Sequence, residues 1–351
     1  MRKKLKIILI ILFILISIPL SFYVWFNHNL SSKSRFNTAY IKFSIQNKET
    51  EKSIINNLKN IHAISSSLAF DIYLNFENPL FVFKKGIYRI YNGENAYSIL
   101  NTFEKGSFYR EILIPSGLRI SQEANVIRNE LSVSNKYYKF STHEFVSIAH
   151  TGITDFNYPF LSYIPKGSTL EGFLYPGLYE VPLNANAKYI MNKELLSFNN
   201  NIFTKFRGFL LSNVDKLSFY QNMIIASIVR RETLYNSDKP LVANIFIRRF
   251  FANIPLGSDA TVQYMLGFDK NEQKWWRENI TPSEIAINSP YNTRINKGLP
   301  PTPICSPSIY SIKATLFSTP NNYWYFLSGP SGHLHYSVTS QGHINNIKKY
   351  L

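Results

Sequence analysis

The sequence predicts an α+β protein carried on an N-terminal transmembrane helix, with a small α+β unit followed by a larger α+β domain. Three observations lead there. An unbroken apolar run from Ile7 to Trp25 follows the basic residues Arg2, Lys3, Lys4 and Lys6. Short alternating segments then interleave with helix-period segments as far as about residue 135. Beyond residue 165, two Pro/Gly-rich segments flank a strongly apolar helix.

The apolar run is about the length needed to span a hydrocarbon core of roughly 30 Å as a helix. Tyr23 and Trp25 stand at its far end, where amphipathic rings favour the interface. The positive-inside rule puts 1–6 in the cytoplasm as a basic tail, 7–25 in the membrane and the rest outside. A cleaved signal peptide fits less well, because Ser17 to Ser21 makes a poor small-x-small site with Pro19 and Leu20 inside it.

The elements follow in order. Residues 41–46 alternate as a strand, and 50–58 and 65–74 have helical spacing. Residues 81–91 (FVFKKGIYRIY) read as a strand pair or one long bent strand. A helix spans Glu94 to Phe103, with Asn92 near its start and Gly106 just past its end. A strand at 111–115 and a helix from Ser121 to Leu131 complete the small unit. The aromatic, weakly periodic stretch 136–165 reads as a connector.

The chain has 351 residues, of which 45% are hydrophobic and 17% charged, which excludes wholesale disorder and fibrous repeats. A net charge of +16 points to an anionic partner, and a chain outside the cytoplasm makes nucleic acid an unexpected one. One cysteine, Cys305, excludes an intrachain disulfide and a Cys-rich zinc cluster. No H-E-x-x-H spacing, Gly-rich phosphate loop or G-x-S-x-G elbow occurs, so no metal and no cofactor are expected.

Residues 217–234 (LSFYQNMIIASIVRRETL) form the helix with chemical promise. Ile225, Ile228, Val229 and Glu232 share one face at i, i+3, i+4, i+7 spacing. A carboxyl against apolar neighbours has its charged form disfavoured, which raises its pKa toward that of a proton donor near neutrality. The plain alternative is a helix-end glutamate turned to solvent or paired with a neighbouring arginine. Arg230 and Arg231 project elsewhere on the wheel, so neither is a natural local partner.

Several motifs taken together resemble the endolytic peptidoglycan (murein) transglycosylase, or YceG-like, family. They are LEGFLYPGLYEV at 170–181, ASIVRRET at 226–233, VANIFIRRF at 242–250, PLGSDATVQYMLG at 255–267, SPYNTRINKGLPPTPICSP at 289–307 and YWYFLSGPSGHLHYS at 323–337. KKGIYRIYNGENAYSIL at 84–100 is similar to the family's LysM-like region. The resemblance implies a LysM-like unit at 38–106, a connecting region at 107–164 and a catalytic domain at 165–351. It implies an enzyme of the cytoplasmic (inner) membrane, with its catalytic domain extracytoplasmic. The substrate would be peptidoglycan glycan strands, cut at the β-1,4 bond between N-acetylmuramic acid and N-acetylglucosamine to leave a 1,6-anhydro end, so limiting strand elongation. Wall synthases would be its further partners. Glu232 matches the family's catalytic acid/base.

The chain departs from the family pattern at Arg230, where a second acidic residue is frequent, and at Gly177, Gly257, Ala260 and Arg294. His333 and His335 compete for one late motif position. Six further residues are weaker site candidates. Glu171 would shape the cleft or form a salt bridge. Ser258 and Asp259 would cap a helix or bind sugar. Gln263 and Tyr264 would contact sugar or pack in the core, and Asn292 would read an N-acetyl group. Two other function classes remain open: a non-catalytic glycan-binding scaffold, which retention of Glu232 disfavours, and a glycoside hydrolase, which usually needs two flanking carboxylates.

Overall fold

The computed structural model describes residues 2–77, 79–133, 137–211 and 217–351. Met1 of the basic tail, and 134–136 of the segment expected to connect the domains, lie outside them. The chain forms two compact units, Met1–Arg110 and Glu111–Leu351.

In the first unit, α1 (Arg2–Ser31) includes a stretch, Lys6–Ser31, long and apolar enough to cross a membrane, with mean hydropathy 2.9. Its last turn behaves differently, since Leu30 is buried and Phe26 packs against the core of this unit. There follow β1 (Tyr40–Ile45), α2 (Glu51–Asn60), α3 (Ser67–Glu77), β2 (Gly86–Tyr91) and α4 (Ala96–Lys105). β1 and β2 pair antiparallel from Tyr40 opposite Tyr91 to Ile45 opposite Gly86. Ile54, Leu58, Phe70, Tyr88, Ile90 and Phe103 fill the core beneath.

Two local expectations change here. Residues 81–85 are not strand, because β1 ends opposite Gly86 and offers them no partner. Phe81 and Phe83 instead meet edge to face beside the core. The cap of α4 is Asn95, which accepts from the Ser98 amide at 3.0 Å, while Asn92 accepts from the Phe36 amide at 2.8 Å.

β3 (Tyr109–Ile114) carries the chain into the second unit, where β4 (Gly177–Pro182) lies beside it. Between them run α5 (Ile120–Ser132) and α6 (Thr142–Thr151). The aromatic stretch 136–165 therefore contains a helix, and Phe140, Phe145 and Phe160 sit in the core of this unit. Its phenylalanines pack in or against the core, while Tyr137, Tyr138 and Tyr163 are exposed, a mixture that leaves little periodicity to read.

Next come α7 (Ala187–Phe198) and α8 (Thr204–Leu210), separated by one turn of π-helix. α9 (Phe219–Glu232), α10 (Lys239–Phe251), α11 (Asp259–Leu266), α12 (Pro282–Ile285) and α13 (Ile309–Leu316) follow. A hairpin of β5 (Tyr325–Ser328) and β6 (Leu334–Ser337) leads into α14 (Ser340–Tyr350). α9 is the central helix, and nearly every side chain from Phe219 to Val229 is buried. Ser218 and Gln221 start it with a reciprocal capping box.

The two Pro/Gly-rich segments close around α9. The Ile304 amide donates to Ser227 Oγ at 3.0 Å, deep against the helix. Gly172 has φ +87°, and a Cβ there would come within 2.4 Å of Pro303 Cβ, so only glycine admits the crossing.

Candidate active site

α9 ends at Glu232 because Thr233 turns to extended backbone at φ −144°. The helix is otherwise sealed, and its terminus is where it meets solvent. Glu232 is half-buried and lines an open cleft of about 600 Å³. The rest of the wall comes from separate elements: Arg249 from α10, Pro255 to Gly257 before α11, Asp259 on α11, Arg294 in the long loop, Tyr325 on β5, and His343 and Ile347 on α14.

Burial pushes the Glu232 pKa up to about 7. The hydrogen bond from Ser258 opposes that rise, the Asp259 charge adds to it, and Arg294 and Arg249 oppose it. Ser258 Oγ donates to Glu232 Oε1. Ser258 holds the cap position of α11, yet its hydroxyl makes no cap bond and is committed to Glu232.

The backbone that presents Ser258 is clamped to the long loop. The Gly257 amide donates to the Thr293 carbonyl at 2.8 Å, and the Ser258 amide donates to Thr293 Oγ1 at 3.2 Å. Gly257 has φ +71° and faces Arg249, whose guanidinium donates to the Leu256 carbonyl and to Trp324. Arg294 Nε donates to Asp259 Oδ1 at 2.7 Å, so the second carboxylate of the cleft is ion-paired.

The other sequence candidates group elsewhere. Glu171 is buried, accepts from the Ile120 amide at 3.2 Å and from Tyr264 OH at 3.2 Å, and anchors the first residue of α5. Burial pushes its pKa up to about 8, against the opposing effects of the Ile120 amide, Tyr264 and Arg119. Gln263 donates to the Arg277 carbonyl at 2.6 Å. The Tyr264 ring packs 5.0 Å from that of Tyr291, with the Arg119 guanidinium 4.8 Å from its centroid. Asn292 is fully buried, and its amide donates to the Ile285 and Ile287 carbonyls at 2.8 Å each. These four brace the segment behind the cleft and do not line it. His333 stacks on Tyr235, with ring centroids 4.4 Å apart, also outside the cleft lining.

The structure adds wall residues that pattern reading did not single out: Arg249, Tyr325, His343 and the end of α14. The Arg248-Arg249 pair within an apolar helix is the one sequence signal that could have found them. Arg230 and Arg231 have partners far away in sequence. Arg230 Nε donates to Ser116 Oγ at 2.8 Å, and Arg231 lies 4.0 Å from the Trp276 ring centroid.

A carboxyl whose proton is held near neutrality, at the rim of a sealed helix and open to a polar, aromatic-walled cleft, is the arrangement of a general acid/base site. The protein class so defined is one with an apolar N-terminal helix, a small α+β unit and a cleft with one carboxyl free of any ion pair. The chain belongs to the YceG-like family, whose family model matches residues 43–349. It is 25% identical to an endolytic murein transglycosylase of Bacillus subtilis, over 89% of this chain and 85% of that protein. It is 23% identical to the one of Streptococcus pneumoniae, again over 89% of this chain but 58% of that longer protein. A crystal structure of a YceG-like protein from Listeria monocytogenes superimposes with a TM-score of 0.60 at 24% identity, covering 88% of this chain and 98% of the other.

Proposed function

We propose that this chain is a peptidoglycan transglycosylase that cuts glycan strands internally, with Glu232 as its one proton-transferring group. The observation that carries the reading is the Glu232 carboxyl itself: buried enough to hold a proton up to about pH 7, yet open to a cleft. The names of the Bacillus and Streptococcus relatives support the substrate class.

In this mechanism Glu232 starts protonated and donates to the glycosidic oxygen between N-acetylmuramic acid and N-acetylglucosamine as that bond breaks. Positive charge develops at the muramoyl C1. The resulting carboxylate takes the proton from the same sugar's C6 hydroxyl, whose oxygen then bonds to C1. The product is a 1,6-anhydro end, and water is neither consumed nor needed. Nucleophile and electrophile share one ring, which supplies the proximity advantage. Ser258 orients the carboxyl, and Arg294 keeps Asp259 from serving as a second base. Glu171, Gln263, Tyr264 and Asn292 act behind the wall as supports.

The test is mass analysis of products made from purified strands in isotopically labelled water. An unlabelled end lighter by one water is expected, and labelled oxygen in the new end would convert the reading to a hydrolase.

We also read α1 as an uncleaved single-pass anchor that holds residues 28–351 outside the cytoplasmic membrane; its length and hydropathy support this. A reporter fused after Leu351 should be active only in its exported form. The first unit, with its own core, is read as a LysM-like holder of glycan, and loss of strand binding on its deletion would test that. Cutting nascent strands beside wall synthases would limit strand length.

A further inference from the structure

Immediately past the membrane-spanning part of α1, the first unit carries a second polar cavity. It measures about 360 Å³ and is lined by Lys33, Arg35, Lys59, His62, Ile64 and Ser65. Three cations and an imidazole line it, and no carboxylate does.

The cavity is built from ordered backbone. Residues 32–36 form a strap whose alternate side chains turn inward and outward. Ser34 is buried, its amide donates to the Glu94 carbonyl at 2.7 Å, and its hydroxyl donates to the Tyr91 carbonyl at 3.0 Å. Phe36 packs against the core. Lys33 and Arg35 are therefore held outward on a fixed backbone. Among the described residues, no hydrogen bond or salt bridge occupies either side chain.

The opposite wall is fixed as well. Lys59 Nζ donates to the Ser65 carbonyl at 2.6 Å, and Ser65 Oγ donates to Asn29 Oδ1 of α1 at 2.7 Å. His62 has φ +58°, a left-handed backbone where glycine would cost least, yet it presents an exposed ring to the cavity. That backbone is the left-handed position just past the end of α2, where the His62 amide donates to the Lys59 carbonyl at 3.0 Å and the Ala63 amide to the Leu58 carbonyl at 2.9 Å, so the ring is held by the helix cap.

Position selects the ligand. Ser31 ends α1 six residues beyond Trp25, which at 1.5 Å per residue is ~9 Å past the interfacial ring. That is the outer edge of the headgroup layer, which adds roughly 5–8 Å to each side of the hydrocarbon core, and it is within reach of long Lys and Arg side chains.

We propose that this cavity binds the phosphate headgroup of an anionic phospholipid in the leaflet that the folded part faces. The inference rests on α1 being a membrane anchor and is independent of the glycan chemistry. A lipid seated there ties the first unit to the membrane surface and limits its tilt about the end of α1.

The test uses the full chain in nanodiscs of phosphatidylcholine doped with phosphatidylglycerol, with retained lipid counted by native mass spectrometry. Phosphatidylglycerol should be retained in preference to phosphatidylcholine. The Lys33→Ser/Arg35→Ser variant should lose that preference by about fivefold for each charge removed, the order expected for a basic group at an anionic surface. The Lys84→Ser/Lys105→Ser variant, which removes the same charge elsewhere in the unit, should keep it. In the wild type, amides of 32–36 and 61–65 should exchange more slowly in doped discs than in pure phosphatidylcholine. Entry into discs with no lipid preference, or an unchanged preference in Lys33→Ser/Arg35→Ser, overturns the site. Equal protection of these amides by inorganic phosphate in detergent overturns the lipid assignment in favour of a free anion. Failure to enter pure phosphatidylcholine discs overturns the anchor reading and the site with it.

Discussion

Glu232 and Glu171 show how two carboxyls of one unit become different things. Burial raises both, to about 7 and about 8. Glu171 is sealed, and its oxygens accept from the Ile120 amide and Tyr264 OH. Glu232 has one hydroxyl partner and a free approach from the cleft. Desolvation supplies a proton at neutral pH in both places, but only access makes it transferable. A raised pKa by itself would have ranked Glu171 above Glu232.

Replacing each carboxyl by its amide breaks the comparison most sharply. Glu232→Gln should lower strand cleavage by about a thousandfold, the middle of the range for a general acid. Strand binding should be nearly unchanged, as read by co-sedimentation, and the melting temperature should not fall. Glu171→Gln should do the reverse. Glutamine keeps one acceptor oxygen but sets an NH2 against either the Ile120 amide or Tyr264 OH, and leaving that buried donor unpaired should cost roughly 1–3 kcal/mol of stability. Cleavage per folded molecule should stay close to wild type.

The charges around Glu232 sharpen the contrast by a smaller amount. Because the acid must start protonated, cleavage should fall as pH rises through about 7. Arg294→Leu removes a charge that lowers the Glu232 pKa, so that alkaline limb should move up. Asp259→Asn removes a charge that raises it and should move the limb down. A pH–rate profile that stays fixed in both variants would disconnect the pair from Glu232.

Glu123 and Glu194 extend the comparison to a buried pair that touches no cleft. Both are fully buried, and burial raises both above the ordinary carboxylate range. Their folded pKa values exceed the unfolded ones, so their contribution to stability is complete at acid pH and is lost as pH rises above about 4.5. Glu194→Gln should flatten that decline, measured as urea midpoints between acid and neutral pH. Equal slopes in wild type and variant would refute the pairing. The effect on cleavage should be the smallest of the set.

The site was partly legible in the linear pattern. Glu232 stood out because an apolar face reached it without a local cationic partner, and Arg230 and Arg231 indeed find Ser116 and Trp276 instead. Ser258 was legible as a cap position but not as the hydroxyl that holds Glu232, since capping residues look alike whichever way the side chain turns. Asn292 carried an amide suited to sugar, but loop closure uses its donors. Arg249 was not singled out in the linear pattern, because its place in the cleft depends on Leu256 and Trp324 folding back onto it.

By itself the sequence determined the long apolar N-terminal helix, the order of strands and helices as far as about residue 131, and the carboxyl at the end of the apolar helix 217–234. These follow from runs, periods and caps that act within a few residues. Only the tertiary structure decided that 81–85 lack a partner strand, that 136–165 belongs to a core, and which raised carboxyl is open to the cleft. Strand pairing, burial and access depend on atoms contributed by segments far apart in the chain. Thr293 clamps the backbone of Ser258, and Pro303 crosses Gly172. No local pattern encodes how closely such segments approach.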